Sequence, residues 1–358
     1  MLPPMSMLET SGLRLEPWQR ELNHAVAVIN ARFEQSQKTD TTPNTLWWGG
    51  AYSEMLPLCA DNLRGKVIIA DQDPRRLRIS TGLVDNASGV RLLALADLSR
   101  DAKAVESMLQ GAVMRDIDAY LALEERLRYS IERAPAVADG WANSIIMDFV
   151  LNRIDTIDEA KLLAEAFRCL SATGSVLCTL LVSDEALPAR HNVKSAPAGA
   201  ALRIPSEAAI IAAFEQAGFH GISLHWSATA GEAIDRIGDI EVRMVSIQAY
   251  KGKQGPCWEL GQAVMYRGPW LEVRDDDGHL YRRGERVAVC AKTFDLMMRA
   301  PYQGAFLGLR SVNEPPLAQA APFDCNTPSL RDPKVTKGLV SFDGAQTEAC
   351  CSAENGCC

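Results

Sequence analysis

Apolar and polar positions recur along this chain with two different periods. Trp18, Leu22, Val26, Ile29 and Phe33 fall three or four residues apart, which predicts a helix with one face to bury. Pro17 suits the first turn of that helix, where a missing N–H costs nothing. The turn-rich stretch KTDTTPNT (38–45) ends it. Short apolar runs then alternate with helical patterns. Leu46–Trp48 predicts a strand, residues 52–62 a helix, GKVIIAD (65–71) a buried strand and Val90–Leu95 a third strand. Residues 101–133 read as helical, with Ile117, Leu121, Leu127 and Ile131 on or near one face. SIIMDFVL (144–151) predicts a buried strand, 155–170 an amphipathic helix broken at Gly174, and SVLCTLLVSDE (175–185) another strand. Strand and helix in alternation predict an α/β fold, a Rossmann-like doubly wound sheet.

The rhythm changes further on. PSEAAIIAAFEQAGF (205–219) has a serine cap and a glycine stop, and HGISLHW (220–226) alternates like a strand. Val242–Tyr250, Gln262–Tyr266 and 286–290 are strand-like, DDDG (275–278) is a turn, and Lys292–Arg299 reads as a short helix. No β-α-β spacing joins them, so they predict a smaller antiparallel α+β module. From Asn313 the chain is Pro-rich and weakly patterned, which predicts a largely extended or disordered, flexible Cys-rich tail. The expected organisation is an N-terminal helical segment (1–40), an α/β domain (41–235), an α+β module (236–312) and the tail (313–358).

Composition narrows the partners. A net charge of −8 gives no basic stripe for nucleic acid. No apolar run approaches the roughly 18 residues that would span a bilayer. The opening residues MLPPMSMLETSGL lack the basic, apolar and small-residue order of a leader, so a cytoplasmic protein is expected.

Ten cysteines are unevenly placed. Cys59, Cys169 and Cys178 fall on apolar faces and read as core. Cys257, Cys290 and Cys325 lie in the C-terminal third, and Cys350, Cys351, Cys357 and Cys358 crowd the last nine residues. In a reducing compartment such clusters point to thiolate ligation or redox work. The ending CCSAENGCC can fold back to offer up to four thiolates to monovalent copper, zinc or trivalent arsenic, or it is a tail whose thiols oxidise without purpose. Cys325 could join either set. Cys257 and Cys290 read as ligands or as small buried hydrophobes. His220 and His225 fall on opposite faces of one strand and share no metal. His279 in DDDGH reads as exposed, and Asp275, Asp277, Asp184 and Glu185 as solvated turn charges.

One constellation has nucleotide-site logic. Gly49 and Gly50 follow the first strand, where a bare backbone lets a cofactor approach. Asp71 closes the second strand, where a carboxylate can accept hydrogen bonds from ribose hydroxyls. WWGGAYSE is not GxGxxG, so a plain strand–turn–helix stands as the alternative.

The stretch AYKGKQGPCWELGQAVMYRGPW (249–270), with DDDGH (275–279), RRGERVAVCAKTF (282–294) and PY (301–302), resembles the C-terminal module of the arsenite methyltransferase-like S-adenosylmethionine enzymes. FDC (323–325), RDPKVTKG (331–338) and the CC…CC ending fit a bacterial branch of that family. Residues 149–188 are similar to its fourth strand, the following helix and its fifth strand. The resemblance implies a class I methyltransferase fold with S-adenosylmethionine at Gly49, Gly50 and Asp71. It implies methyl transfer to a soft metalloid or a thiol-bearing small molecule, with Cys257 and Cys290 as catalytic thiols. Cys325, Cys350, Cys351, Cys357 and Cys358 are then the candidates for holding a soft metal or metalloid. The chain departs from the family at its thiols. Phe149 stands where a metalloid-binding cysteine is usual, the loop PAGAAL (197–202) has none, and the acid after the fifth strand survives only as Asp184. The competing reading is a catalytically degenerate relative that binds thiophilic ions through its cysteines or associates with an intact paralogue.

Overall fold

In a computed structural model, the described residues are 15–38, 43–49, 55–59, 62, 63, 65–71, 90–93, 108, 110–113, 115–128, 137–154, 156–188, 203–226, 233–327 and 329–341. The chain divides after Lys251 into two compact units.

The first unit is built on an eight-stranded sheet. In chain order its strands are β1 (Thr45–Trp48), β2 (Val67–Ala70), β3 (Val90–Leu93), β4 (Ala142–Asp148), β5 (Leu170–Ser183), β6 (Phe219–His225), β7 (Asp235–Ile237) and β8 (Ile240–Lys251). In space the order is β3-β2-β1-β4-β5-β8-β6, with β7 also on β8. β1 to β5 are mutually parallel where they pair. β8 is antiparallel to β5, β6 and β7.

The described helices of this unit are α1 (Leu15–Lys38), α2 (Met55–Cys59), α3 (Ile117–Arg128), α4 (Thr156–Cys169) and α5 (Glu207–Gln216). Strands β1 and β2 are buried throughout, as strands covered on both faces must be. Successive side chains take opposite faces. Leu46 and Trp48 therefore join the layer holding Leu163 and Ala166 of α4, together with Ile210 and Phe214 of α5. Trp47 joins the other layer, with Leu22, Ala25, Ile29 and Phe33 of α1.

Three expectations change in this unit. The N-terminal helix is not a separate segment, because its apolar face closes one side of the sheet. Residues 240–251 do not belong to the C-terminal module, since they form β8 of the main sheet. Gly174 does not stop the helix. α4 ends at Cys169 and β5 runs through Gly174, where a Cβ would sit 2.8 Å from Leu170 Cδ2 and 3.0 Å from the Ala142 carbonyl oxygen. Glycine is required there by close approach of the two strands. Ile117 and Leu121 of the helix α3 are exposed.

β4 ends at Asp148, and Phe149 then takes a left-handed conformation (φ 52°) before a short 3₁₀ turn, Val150–Arg153. Asn152 in that turn is buried and fully bonded. It accepts from Leu181 N (2.8 Å) and donates to the carbonyls of Leu181 (2.9 Å) and Arg203 (3.0 Å), so it ties β4's exit to β5.

The second unit carries three small sheets: β13-β10-β14, β11-β12 and β15-β9. Their strands are β9 (Trp258–Glu259), β10 (Ala263–Tyr266), β11 (Glu272–Arg274), β12 (Leu280–Arg282), β13 (Arg286–Ala288), β14 (Phe306–Leu309) and β15 (Ala321–Pro322). Helix α6 (Ala291–Met297) supplies Phe294 and Met297 to a core with Val264, Tyr266, Tyr281 and Phe306. Residues 313–341 are not a loose tail. β15 pairs with β9, and α7 (Pro333–Thr336) is capped by Asp332, which accepts from Lys334 N (2.8 Å). Arg331 Nη2 donates to both carboxylate oxygens of Glu259 (2.8 and 2.7 Å).

Replacing Asn152→Ala removes the side-chain partner of three part-buried backbone groups. Urea unfolding of the variant should show a loss of about 2–4 kcal/mol. An unchanged midpoint would mean that this tie carries no stability.

Candidate functional site

Strand register sets the first candidate site. Trp48 pairs with Ala70 on one side and with Met147 on the other. One residue further on, Asp71, Gly49 and Asp148 therefore stand side by side at the C-terminal ends of β2, β1 and β4. The strand order reverses between β1 and β4, and in open parallel sheets such a reversal opens a crevice at the strands' C-terminal ends. Gly49 has φ 87°, so its backbone turns in a way an L side chain resists. Its N–H donates to the Ala70 carbonyl (2.9 Å). Both Asp71 and Asp148 are buried. A bare, left-handed backbone between two carboxylates fits a ligand that brings hydroxyls and positive charge to the strand ends. Gly50 lies outside the described residues, as does the loop 197–202.

Asp148 was missed in the sequence. The signal that could have found it is an acid directly at the end of the strand beside the glycine turn. Next to it, Phe149 stacks on Trp18 of α1, with ring centroids 5.5 Å apart and planes 19° apart. The position where the resemblance would place a metalloid thiol is thus filled by an aromatic pair. Asp184, just after β5, accepts from Glu241 N (2.9 Å) and serves to join β5 to β8.

The second candidate site lies wholly in the C-terminal unit. Cys257 precedes β9, Cys290 caps α6, and Cys325 follows β15. Their sulfurs all lie within 4.8 Å of one another. Cys325 Sγ and Cys257 Sγ are 3.1 Å apart. The β9–β15 pairing brings these two segments together, and Phe323 N donates to the Cys257 carbonyl (2.9 Å). Cys290 Sγ is 3.2 Å from the Thr293 hydroxyl. Hydrogen bonding from Cys257, from Cys325 and from Thr293 holds the Cys290 thiol below its ordinary value. The same bonds push Cys257 and Cys325 up. Cys290 is therefore the most readily ionised of the three thiols. Lys292 sits beside the group with its Nζ on the Gly255 carbonyl (2.9 Å). Burial alone would lower its ammonium, but the thiol charges raise it.

A polar layer backs the thiols and overturns two expectations. His279 is not exposed but half-buried. Its Nδ1 lies 3.0 Å from Asp275 Oδ2 and its Nε2 lies 3.2 Å from the Cys325 carbonyl. Asp275 is not a solvated turn charge. Its side chain is buried, and it accepts from Tyr281 Oη (3.0 Å) and from His279 N (2.8 Å). Burial would raise the Asp275 carboxyl, but the His279 hydrogen bond and the Lys253 charge bring it down to about 2. The bond to Asp275 raises His279 despite burial. A protonated ring donates from both nitrogens, so His279 anchors Cys325 through its carbonyl. Asp275, Asp277 and His279 also converge as a set. Their centre already holds a cation, because the buried Lys253 ammonium bonds Asp277 and lies 3.5 Å from Asp275.

Cys59 and Cys169 are buried, and desolvation raises each thiol to about 12. Cys178 is raised further by the same cause. These are inert core residues. Cys350, Cys351, Cys357 and Cys358 lie outside the described residues.

Comparison with known proteins gives one family match, to a domain of unknown function, DUF8838, over residues 253–341. That span includes all three thiols of the cluster. No curated protein matches the chain. Among solved structures, the chain is similar to an arsenic(III) S-adenosylmethionine methyltransferase from Chlamydomonas reinhardtii. The identity is 14%, over 79% of this chain and 89% of that one, with a TM-score of 0.40. A putative methyltransferase from Bacillus halodurans shares 10% identity over 62% of this chain and 98% of its own, at 0.38. A Haemonchus contortus phosphoethanolamine N-methyltransferase bound to S-adenosylhomocysteine shares 12% over 52% and 35%, at 0.35. At these scores the likenesses add no weight to the topology, which stands on its own strand register. Among the described residues, no helix is long and apolar enough to cross a membrane.

Asp275→Ala leaves Lys253 buried without a carboxylate it now holds. Chemical denaturation should show a loss of about 3–5 kcal/mol. Pairing Lys253→Met with Asp275→Leu should recover part of that loss; a purely additive double variant would show that the two groups do not interact.

Proposed function

We propose that the chain is a class I methyltransferase-type protein whose first unit binds S-adenosylmethionine and whose reaction is methyl transfer to a soft metalloid or a thiol-bearing small molecule. The observation that carries this reading is the row Asp71–Gly49–Asp148 at the point where strand order reverses. The sheet order β3-β2-β1-β4-β5-β8-β6, with its single antiparallel insertion at β8, supports it. So do the residues that carry the resemblance.

In this reading Asp71 accepts hydrogen bonds from the ribose hydroxyls, and Gly49 lets the cofactor lie against the backbone. Asp148 adds negative charge where a cationic ligand would sit. When bound, the cofactor supplies an electrophilic methyl group. The chain's own task is to orient it and keep the site dry. Phe149 and Trp18 serve the second purpose by closing β4's end with apolar volume.

A second reading, a catalytically silent relative that binds thiophilic ions, draws support from one observation. The thiols expected at Phe149 and in the loop 197–202 are missing, while three others converge in the second unit. The same protein can be assayed for both. Calorimetry with S-adenosylhomocysteine should show one site per chain. Asp71→Ala should weaken it by ~10–100-fold, the worth of hydrogen bonds to a charged group. Absence of heat at about millimolar ligand, with the wild-type chain folded, would sink the cofactor reading.

A further inference from the structure

We propose that Cys257, Cys290 and Cys325 form a binding site for one soft divalent d10 cation of the zinc class, held by three thiolates with a fourth position left for water. The site does not depend on the cofactor reading, because every residue in it belongs to the second unit.

Four features point the same way. The first is spacing. A zinc–sulfur bond of roughly 2.3 Å in a tetrahedral site puts its sulfurs roughly 3.8 Å apart. Here the Cys257 and Cys325 sulfurs are 3.1 Å apart and all three lie within 4.8 Å of one another, so small rotations of the side chains suffice. The second is the space beside them. Cys290 and Cys325 line a cavity of ≈ 20 Å³ together with His279, Phe323, Asp324 and Thr327. That is room for a water-sized group. A tetrahedral cation with three protein ligands needs one such partner.

The third feature is charge. Three adjacent thiolates would repel one another, and Lys292, with its Nζ on the Gly255 carbonyl (2.9 Å), stands beside them. A cation bound among them would relieve that repulsion. Two nearby cationic groups already have carboxylate partners. His279 faces Asp275, and Lys253 faces Asp275 and Asp277.

The fourth is the outer layer. Metal-site backbones are typically held by hydrogen bonds one step removed from the ion. Here Asp275, Lys253 and Tyr281 fix the His279 ring, and His279 fixes the Cys325 carbonyl. His279 itself is not a ligand, since both of its nitrogens are engaged. Binding would displace the remaining thiol protons to solvent, forming three metal–sulfur bonds with no change in oxidation state. Because Cys325 lies in the segment after β14, the ion would also fasten residues 313–341 to β9 and α6.

The test uses the full-length chain, reduced and freed of metal, with Cys350, Cys351, Cys357 and Cys358 all changed to serine. Cadmium is the spectroscopic probe, zinc and arsenite the competitors. The expected result is one cadmium per chain, read from the thiolate charge-transfer band, with zinc displacing it stoichiometrically. Three fewer thiols should react with maleimide when the ion is present. Cys290→Ser should weaken binding by more than ~100-fold. His279→Ala, a positioning change, should weaken it ~10–100-fold while stoichiometry stays at one. If the cysteine variants misfold, the count of protected thiols in the unaltered site still decides.

Several outcomes would overturn the assignment. One is a reduced chain that binds no cadmium or zinc while a Cys257–Cys325 disulfide forms in air. Another is one-to-one binding of arsenite alone. A third is full cadmium binding with fewer than three thiols protected.

Discussion

The antiparallel pairing of β8 with β5 is the constraint on which the first unit depends. It runs unbroken through nine residue pairs, from Ser175–Tyr250 to Ser183–Val242. It fixes β5 from one side while β4 fixes it from the other. Because β5 cannot shift, Phe149 N can donate to the Thr179 carbonyl (2.9 Å) and Asn152 can bond Leu181 on both sides of its peptide. These bonds decide where β4 stops. The stopping point of β4, matched with that of β1 and β2, places Asp148 beside Gly49 and Asp71. A one-residue slip would turn every side chain of β4 to the other face, and would carry the buried Asp148 into one of two apolar layers.

Most of the elements were legible because each has a local cause. The spacing of Leu22, Ile29 and Phe33 suffices for a helix face, and the run VIIA suffices for a covered strand. What was not legible was parentage. β8 alternates as any antiparallel strand does, so nothing within residues 240–251 says that it inserts between β5 and β6 rather than joining the small sheets after it. Gly174 misled because a glycine after a helix has two uses, as a stop and as a place where strands nearly touch. Here Ala142 and Leu170 decide for the second. Residues 313–341 looked loose because their order comes from partners outside the segment, Glu259 for Arg331 and β9 for β15.

The chemistry divides in the same way. Gly49 and Asp71 could be picked out because the nucleotide-site logic is local to a strand and its turn. Asp148 could not, since its meaning depends on which strand lies beside β1. The thiols were conspicuous as residue types, but their convergence was hidden. Cys257, Cys290 and Cys325 come from three segments separated by intervening strands and turns. DDDGH read as a solvated turn because acid-rich turns normally are. A buried Lys253 on a distant segment reverses that, drawing Asp275 inward and with it the His279 ring.

Phe149 shows how a lost thiol can be more than a deletion. A left-handed backbone costs a bulky side chain about 1–3 kcal/mol, and Phe149 adopts it at φ 52°. Packing must offset that strain, and the stack on Trp18 does so by burying two rings together. A cysteine at this position would keep the backbone cost and give up most of the contact. It would also leave a void under α1, whose Leu22, Ala25, Ile29 and Phe33 help close this face of the sheet. The end of β4 is therefore built for apolar closure. Soft-ion chemistry in this chain has to be sought where thiols, a neighbouring ammonium and a water-sized cavity already coincide, and among the described residues that is at Cys257, Cys290 and Cys325.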